Sequence, residues 1–216
     1  MKVIAINGGP RKTWNTATLL KKALEGAESA GAETELIHLY DLNFKGCISC
    51  FACKRKNGLV GHCAVKDDLS EVLEKVNDCD ALLIGTPIYL SNITGGTQSF
   101  IERLLFSNLS YDLDHPSVHE KRISTGLIFT MNLPKEVMQR SGYDALFSRY
   151  QSQFERFGGS AEVLISNDTY QFDDYSKYNA PMFDEKHKAK VREEQFPIDL
   201  QNAFDLGVRL VQPIQK

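Results

Sequence analysis

The 216-residue chain lacks any apolar run near the ~20 residues that a helix needs to cross a bilayer. Its first six residues are mostly apolar but too short for a signal-peptide core, so an exported or membrane-inserted protein is not expected. It also lacks an excess of positive charge. With 25 Lys and Arg against 28 Asp and Glu, the formal net charge is -3, which offers no attraction to nucleic acid or an anionic membrane surface. The five cysteines are therefore expected to be reduced, in a cytoplasmic protein. Two glycine signatures are missing as well. No glycine immediately precedes Lys12, which excludes a nucleoside-triphosphate P-loop, and Gly8-Gly9 is followed by Pro10 and no further glycine until Gly26, which excludes the dinucleotide fingerprint.

What the amino terminus does have is a short apolar strand over residues 3–6, a glycine turn, and a helix resuming at Asn15 or Thr16. A helix N-terminus leaves backbone N–H groups unpaired and carries positive dipole charge, so it favours an anion. Arg11 and Lys12 add mobile cations there, while Asn15, Thr16 and Thr18 add short hydrogen-bonding side chains. With the other two signatures gone, a terminal monophosphate is the anion that fits.

Further on, an apolar stripe predicts a helix over 15–31, an imperfect alternation predicts a strand over 33–39, a wholly apolar run predicts a buried strand at 81–85, and another strand is predicted at 123–131. Helices are predicted at 67–76, 98–106 and 135–157, a last strand at 161–165, and two more helices at 184–194 and 198–211 on either side of Pro197. Five alternations of strand and helix predict a doubly wound, five-stranded parallel sheet in one domain, 1–216. A cysteine-rich loop at 46–66 and a C-terminal extension at 167–216 complete it. Ligands in such sheets sit at the carboxyl ends of the strands, where the order reverses. With strand order 2-1-3-4-5, the loop after the first strand faces the loop predicted at 87–97. That second loop, with Pro87, Ile88, Tyr89, Leu90, Ser91 and Asn92, offers an apolar wall flanked by small polar groups, as a flat heteroaromatic ring requires. Thr130, Met131 and Asn132 would form the third side.

Cys47, Cys50 and Cys53 are spaced three apart, and Cys63 follows after nine intervening residues. Four such thiols suit an iron–sulfur cluster, a structural zinc ion, or simply a set of reduced thiols. Cys79, alone before an apolar strand, reads as core. His115 and His119 lie four apart near two aspartates, but Pro116 removes a shared helical face, so they read as surface loop.

These segments together resemble a known family. Residues 1–12, Asn15-Thr-Ala-Thr-Leu-Leu20, Gly46-Cys-Ile-Ser-Cys-Phe-Ala-Cys53, Lys66-Asp-Asp-Leu69 and Gly85-Thr-Pro-Ile-Tyr89 look like the flavodoxin-like NAD(P)H-dependent FMN reductases, and within them the iron–sulfur flavoproteins. The resemblance is strong over 1–108. It implies that Gly9–Ala17 binds the FMN phosphate, with Arg11, Asn15 and Thr16 as side-chain ligands. Residues 87–92 would then run along the isoalloxazine, with Thr130–Asn132 closing it. Cys47, Cys50, Cys53 and Cys63 would be the cluster ligands, a [4Fe-4S] centre. It further implies NAD(P)H or a reduced carrier as electron donor, a small-molecule or protein acceptor, and a homodimer or higher homo-oligomer. Tyr170, Phe172, Tyr175 and Tyr178 would then form an arm over a neighbouring subunit's flavin, or else a packed surface excursion. One departure is Gly9, where the family usually has serine; the lost hydroxyl contact is worth about 1 kcal/mol of phosphate affinity. The flavin carries such chemistry, so no catalytic acid, base or nucleophile is expected. Two other readings of the chain are a non-enzymatic flavin electron carrier and a zinc-stabilised binding domain.

Overall fold

The structure is a computed structural model that describes residues 1–112, 114, 117–118, 121–156 and 158–212. His115 and His119 thus lie outside the described residues. In chain order the elements are β1 (Lys2–Asn7), α1 (Asn15–Ser29), β2 (Glu33–His38), α2 (Leu69–Asp78), β3 (Ala81–Tyr89), β4 (Asn92–Ile93) and α3 (Gly95–Asn108). There follow β5 (Ile123–Thr130), α4 (Lys135–Arg140), α5 (Tyr143–Glu155), β6 (Gly158–Ser166), α6 (Glu185–Glu194) and α7 (Phe196–Leu210). The parallel strands run in the order β2-β1-β3-β5-β6, the predicted 2-1-3-4-5 arrangement of a flavodoxin-like sheet. A sixth strand, β4, pairs only with β3 and runs antiparallel to it.

Strand alternation sorts the core into two layers. Val3, Ala5, Ala81, Leu83 and Ile128 face α1 and α7, packing on Leu19, Leu20, Ala23 and Leu206. Ile4, Ile6, Leu82, Ile84, Leu127 and Phe129 face the other way, onto Val72, Leu73, Phe100, Leu104 and Phe147. Each large side chain buried in this way stabilises the fold by about 1.5–3 kcal/mol, which is why the central strands are apolar on both faces. The outer strand β2 is only partly buried, and its sequence alternates for that reason.

Three predicted boundaries change. The 87–97 loop is instead the end of β3, a two-residue turn through Leu90 and Ser91 in the left-handed region (φ 47 and 66), then β4 and the start of α3. The long helix at 135–157 is two helices, because Gly142 (φ 76) takes the left-handed conformation that ends α4 and leads into α5. Pro197 does not separate two helices; it sits in the first turn of α7, where its missing N–H costs nothing.

Helices α1 and α7 pack backbone to backbone. A Cβ on Gly207 would come within 1.8 Å of the Ala23 carbonyl oxygen, and one on Gly26 within 2.0 Å of that of Phe204. Gly207→Ala is therefore expected to destabilise the protein by about 1–3 kcal/mol in urea unfolding; an unchanged midpoint would contradict this packing.

Candidate functional site

The exit of β1 is pinned to the end of β3 by a buried knot of hydroxyl groups. Thr94 Oγ1 donates to the Gly8 carbonyl (2.7 Å) and lies 2.8 Å from Thr97 Oγ1, which donates to Thr86 Oγ1 (3.2 Å). The Gly8 N–H donates to the Gly85 carbonyl at 2.8 Å. No side chain fits at residue 8, since a Cβ there would meet Thr97 Oγ1 at 1.8 Å. The first loop is thereby held against the β3–β4 hairpin.

Between them opens a cleft of about 930 Å³. The structure brings eleven of the sequence-predicted residues to its wall: Gly9, Arg11, Asn15, Thr16, Pro87, Ile88, Tyr89, Leu90, Thr130, Met131 and Asn132. Thr16 and Thr130 join its two sides through their hydroxyls, 2.7 Å apart. Three of the predicted residues are not on the wall. Ala17 is fully buried, on the core side of α1. Ser91 accepts a hydrogen bond from the Tyr143 hydroxyl (3.0 Å) and Asn92 one from Tyr150 (3.1 Å), because the hairpin turn carries them toward α5.

One end of the cleft is built from a helix start and a cation. Helix α1 is preceded by Trp14, which contributes no side-chain cap, as is also the case at α4, α5 and α7, but the start of α1 is the one that lines the cleft. The opening N–H groups of α1 are thus left for an anion. Arg11 lies over the Trp14 ring, 4.5 Å from its centroid, while Lys12 turns away to pair with Asp41 at 2.7 Å. Asn7 clamps Gly9 through both its N–H (3.1 Å) and its carbonyl (3.2 Å). A side chain at residue 9 would begin 3.3 Å from Pro87 Cδ, so the loop is tight at this glycine. At the opposite wall, burial pushes the Tyr89 phenol above its usual range and keeps it a neutral donor.

The rim comes from residues 169–173 and Tyr178; of these the sequence marked Tyr170, Phe172 and Tyr178 and missed Thr169, Gln171 and Asp173. Arg11 donates to the Gln171 carbonyl (2.7 Å), while Trp14 Nε1 (3.1 Å) and Asn15 Nδ2 (2.8 Å) both donate to that of Tyr170. Phe172 stacks on Tyr178 with centroids 3.9 Å apart and planes 12° apart. Asp168, at φ 54, turns the chain into this rim and is held by Lys188 and by His187 Nε2 (2.6 Å). Tyr170, Phe172 and Tyr178 thus line the cleft of their own chain, with Tyr175 packed against Phe172 behind them. Their recurrence was the available signal; it could not say whose cleft they cover.

The four cysteines line one small cavity with Arg103 and Phe106. Yet among the described residues no three His, Cys, Asp or Glu side chains gather closely enough to hold a metal ion. Ser49 and Phe51 are left-handed (φ 53 and 55), and Cys50 between them is exposed while Cys53 is buried. Burial raises the Cys53 thiol above its usual range. Arg103 is buried and paired to Asp67 at 2.6 Å, but its Nε has no partner. The donor chemistry suits a cluster; the arrangement of the sulfurs does not.

Residues 1–121 match the family described as NADPH-dependent FMN reductase, more than half of the chain, and the chain belongs to that family. It is 46% identical over 103 residues to an iron-sulfur flavoprotein of Archaeoglobus fulgidus, covering 48% of each chain. It is 36% identical over 103 residues to an iron-sulfur flavoprotein of Methanocaldococcus jannaschii, covering 48% of this chain and 51% of that one. The chain thus spans about half the length of the curated relatives it matches. Among solved structures, an NAD(P)H:quinone oxidoreductase from Methanothermobacter marburgensis superposes with a TM-score of 0.69 at 18% identity, over 100% of this chain and 99% of that one. A Bacillus anthracis azoreductase superposes with a TM-score of 0.66 at 13% identity, over 97% and 99%. At such identities the likeness is one of fold.

Burial pushes the Cys79 thiol up to about 12, and the residue has no exposed surface. At pH 8, iodoacetamide is expected to modify Cys50 in the native protein and to reach Cys79 only after denaturation, as read by peptide mass spectrometry. Equal modification of the two in the native state would contradict this burial.

Proposed function

We propose that the protein binds FMN in this cleft and passes electrons from NAD(P)H to an acceptor. The observation that carries the reading is the union, in one cleft, of an uncapped helix N-terminus with a cation beside it and an apolar hairpin wall. The first suits a terminal phosphate and the second a flat ring. Membership of the FMN reductase family supports the choice of FMN.

In this reading the start of α1, Arg11 and Thr16 bind the phosphate, and Pro87, Ile88 and Tyr89 flank the ring. Thr130–Asn132 close the far side, and the Phe172–Tyr178 stack excludes water from the rim. Bound FMN supplies hydride and electron transfer, while the protein supplies position and the surrounding charge. No side chain in the cleft is assigned as acid, base or nucleophile. Leu90, fully exposed beside Tyr89, leaves the hairpin tip open for a nicotinamide and then an acceptor to approach. An acceptor that is a small molecule or a small protein fits an open cleft equally.

A second reading, electron transfer through an iron–sulfur cluster, is favoured by the four cysteines on one cavity. It requires the 46–66 loop to gather their sulfurs. Protein purified anaerobically should then carry about four iron atoms and as many sulfides, and less than about one iron per chain would remove this reading.

For the main proposal, fluorescence titration should give FMN binding to the wild type. Arg11→Ala should weaken FMN about tenfold or more, and riboflavin far less, as expected for one charge-assisted hydrogen bond to phosphate. Equal weakening of both flavins would remove Arg11 from the phosphate site. Failure of the wild type to bind either flavin would refute the proposal.

A further inference from the structure

Asn15 is 5% exposed, lies on the cleft wall and is the first residue of α1. A side-chain amide presents either its carbonyl or its NH2 to a ligand, and only the second attracts an anion. Two neighbours from the C-terminal extension fix this, the Tyr170 carbonyl, which accepts from the NH2, and Arg192, which donates to the carbonyl. Arg192 Nη1, on α6, reaches Asn15 Oδ1 at 3.1 Å. Arginine has donors and no acceptor, so Asn15 must turn its carbonyl to Arg192 and its NH2 away. One N–H of that NH2 goes to the Tyr170 carbonyl at 2.8 Å, and the other has no hydrogen bond among the described residues.

Arg192 is itself held in place. Its guanidinium lies 3.9 Å from the centroid of the Phe196 ring. One turn earlier on the same face of α6, Lys188 donates to the Asn132 carbonyl (2.6 Å) and pairs with Asp168. Among the described residues no carboxylate is paired with Arg192, so its charge is not neutralised locally. Burial lowers its affinity for a proton, though an arginine remains charged at neutral pH. Residue 192 lies well outside the 1–121 segment that matches the family.

We infer that Arg192 is a positioning residue that locks the Asn15 amide with its NH2 toward the cleft, so that the C-terminal extension sets the preference for a phosphorylated flavin. The inference rests on the FMN reading above. It adds that the phosphate site is incomplete in a chain that stops at the family-matched segment.

The test is a set of fluorescence titrations with FMN and with riboflavin, on full-length protein, with urea midpoints recorded alongside. Arg192→Met keeps most of the side-chain bulk and removes the donors. It should weaken FMN about tenfold and riboflavin by less than about twofold, and Arg192→Lys should restore most of the loss. Because Arg192 acts through Asn15, the Asn15→Ala/Arg192→Met double variant should bind FMN no more weakly than Asn15→Ala alone. Additive losses, or equal losses for both flavins, would overturn the inference. If Arg192→Met does not fold, Asn15→Asp decides. It leaves an acceptor for Arg192 but turns a carboxylate oxygen to the cleft, so FMN binding should collapse while riboflavin binding persists. Unchanged FMN binding by Asn15→Asp would likewise overturn it. A wild type that binds neither flavin refutes the FMN reading, whereas a wild type that prefers FMN with an Arg192→Met variant that prefers it equally refutes only the inference.

Discussion

The first turn of α1 opens on backbone N–H groups that no side chain caps, and they point into the place where the strand order reverses. Unpaired donors at a buried helix start are unfavourable unless something satisfies them. Much of the surrounding structure bears on that constraint. The threonine knot at Thr86, Thr94 and Thr97 fixes how close the first loop comes to β3. The hydroxyl pair Thr16–Thr130 ties the same turn to β5. The C-terminal extension then brings carbonyl oxygens to the side-chain donors of that loop, from Tyr170 and Gln171. What results is a cleft with the start of α1 and Arg11 on one side and an apolar hairpin wall on the other.

The sheet was legible because its central strands obey a simple physical rule. Val3–Ile6, Ala81–Ile84 and Ile123–Phe129 are covered on both faces, and helices follow where the period changes. Local backbone chemistry was harder to read. The apolar residues after Gly85 look like a loop wall because Pro87 interrupts them, yet β3 continues to Tyr89 and the chain doubles back as β4. Proline is tolerated there: it lies where β3 leaves its parallel partners for a short antiparallel hairpin. Gly142 was a readable stop signal inside the helix predicted at 135–157, masked by apolar periodicity on both sides of it.

The candidate site divides the same way. Arg11, Asn15, Thr16, Pro87–Leu90 and Thr130–Asn132 follow from strand order, because residues just past the ends of neighbouring strands must meet. Trp14, Tyr170, Gln171 and Arg192 reach the site by contacts spanning more than 150 residues, and no local pattern encodes such pairings. The cysteines show the opposite limit. All four thiols line one cavity, but spacing reports neither the left-handed backbone at Ser49 and Phe51 nor the exposure of Cys50 beside a buried Cys53.

Membership of the FMN reductase family and the geometry of the α1 turn converge on one central claim, that a flavin phosphate sits among the donors of that turn. Phosphorus NMR of FMN bound to the wild-type protein tests it most directly. Free FMN phosphate titrates with a second pKa near about 6. Surrounded by N–H donors and a guanidinium, the bound phosphate should remain a dianion, with a resonance that does not move between about pH 5.5 and 8. A bound resonance that titrates as free FMN does would show the phosphate in solvent and contradict the account.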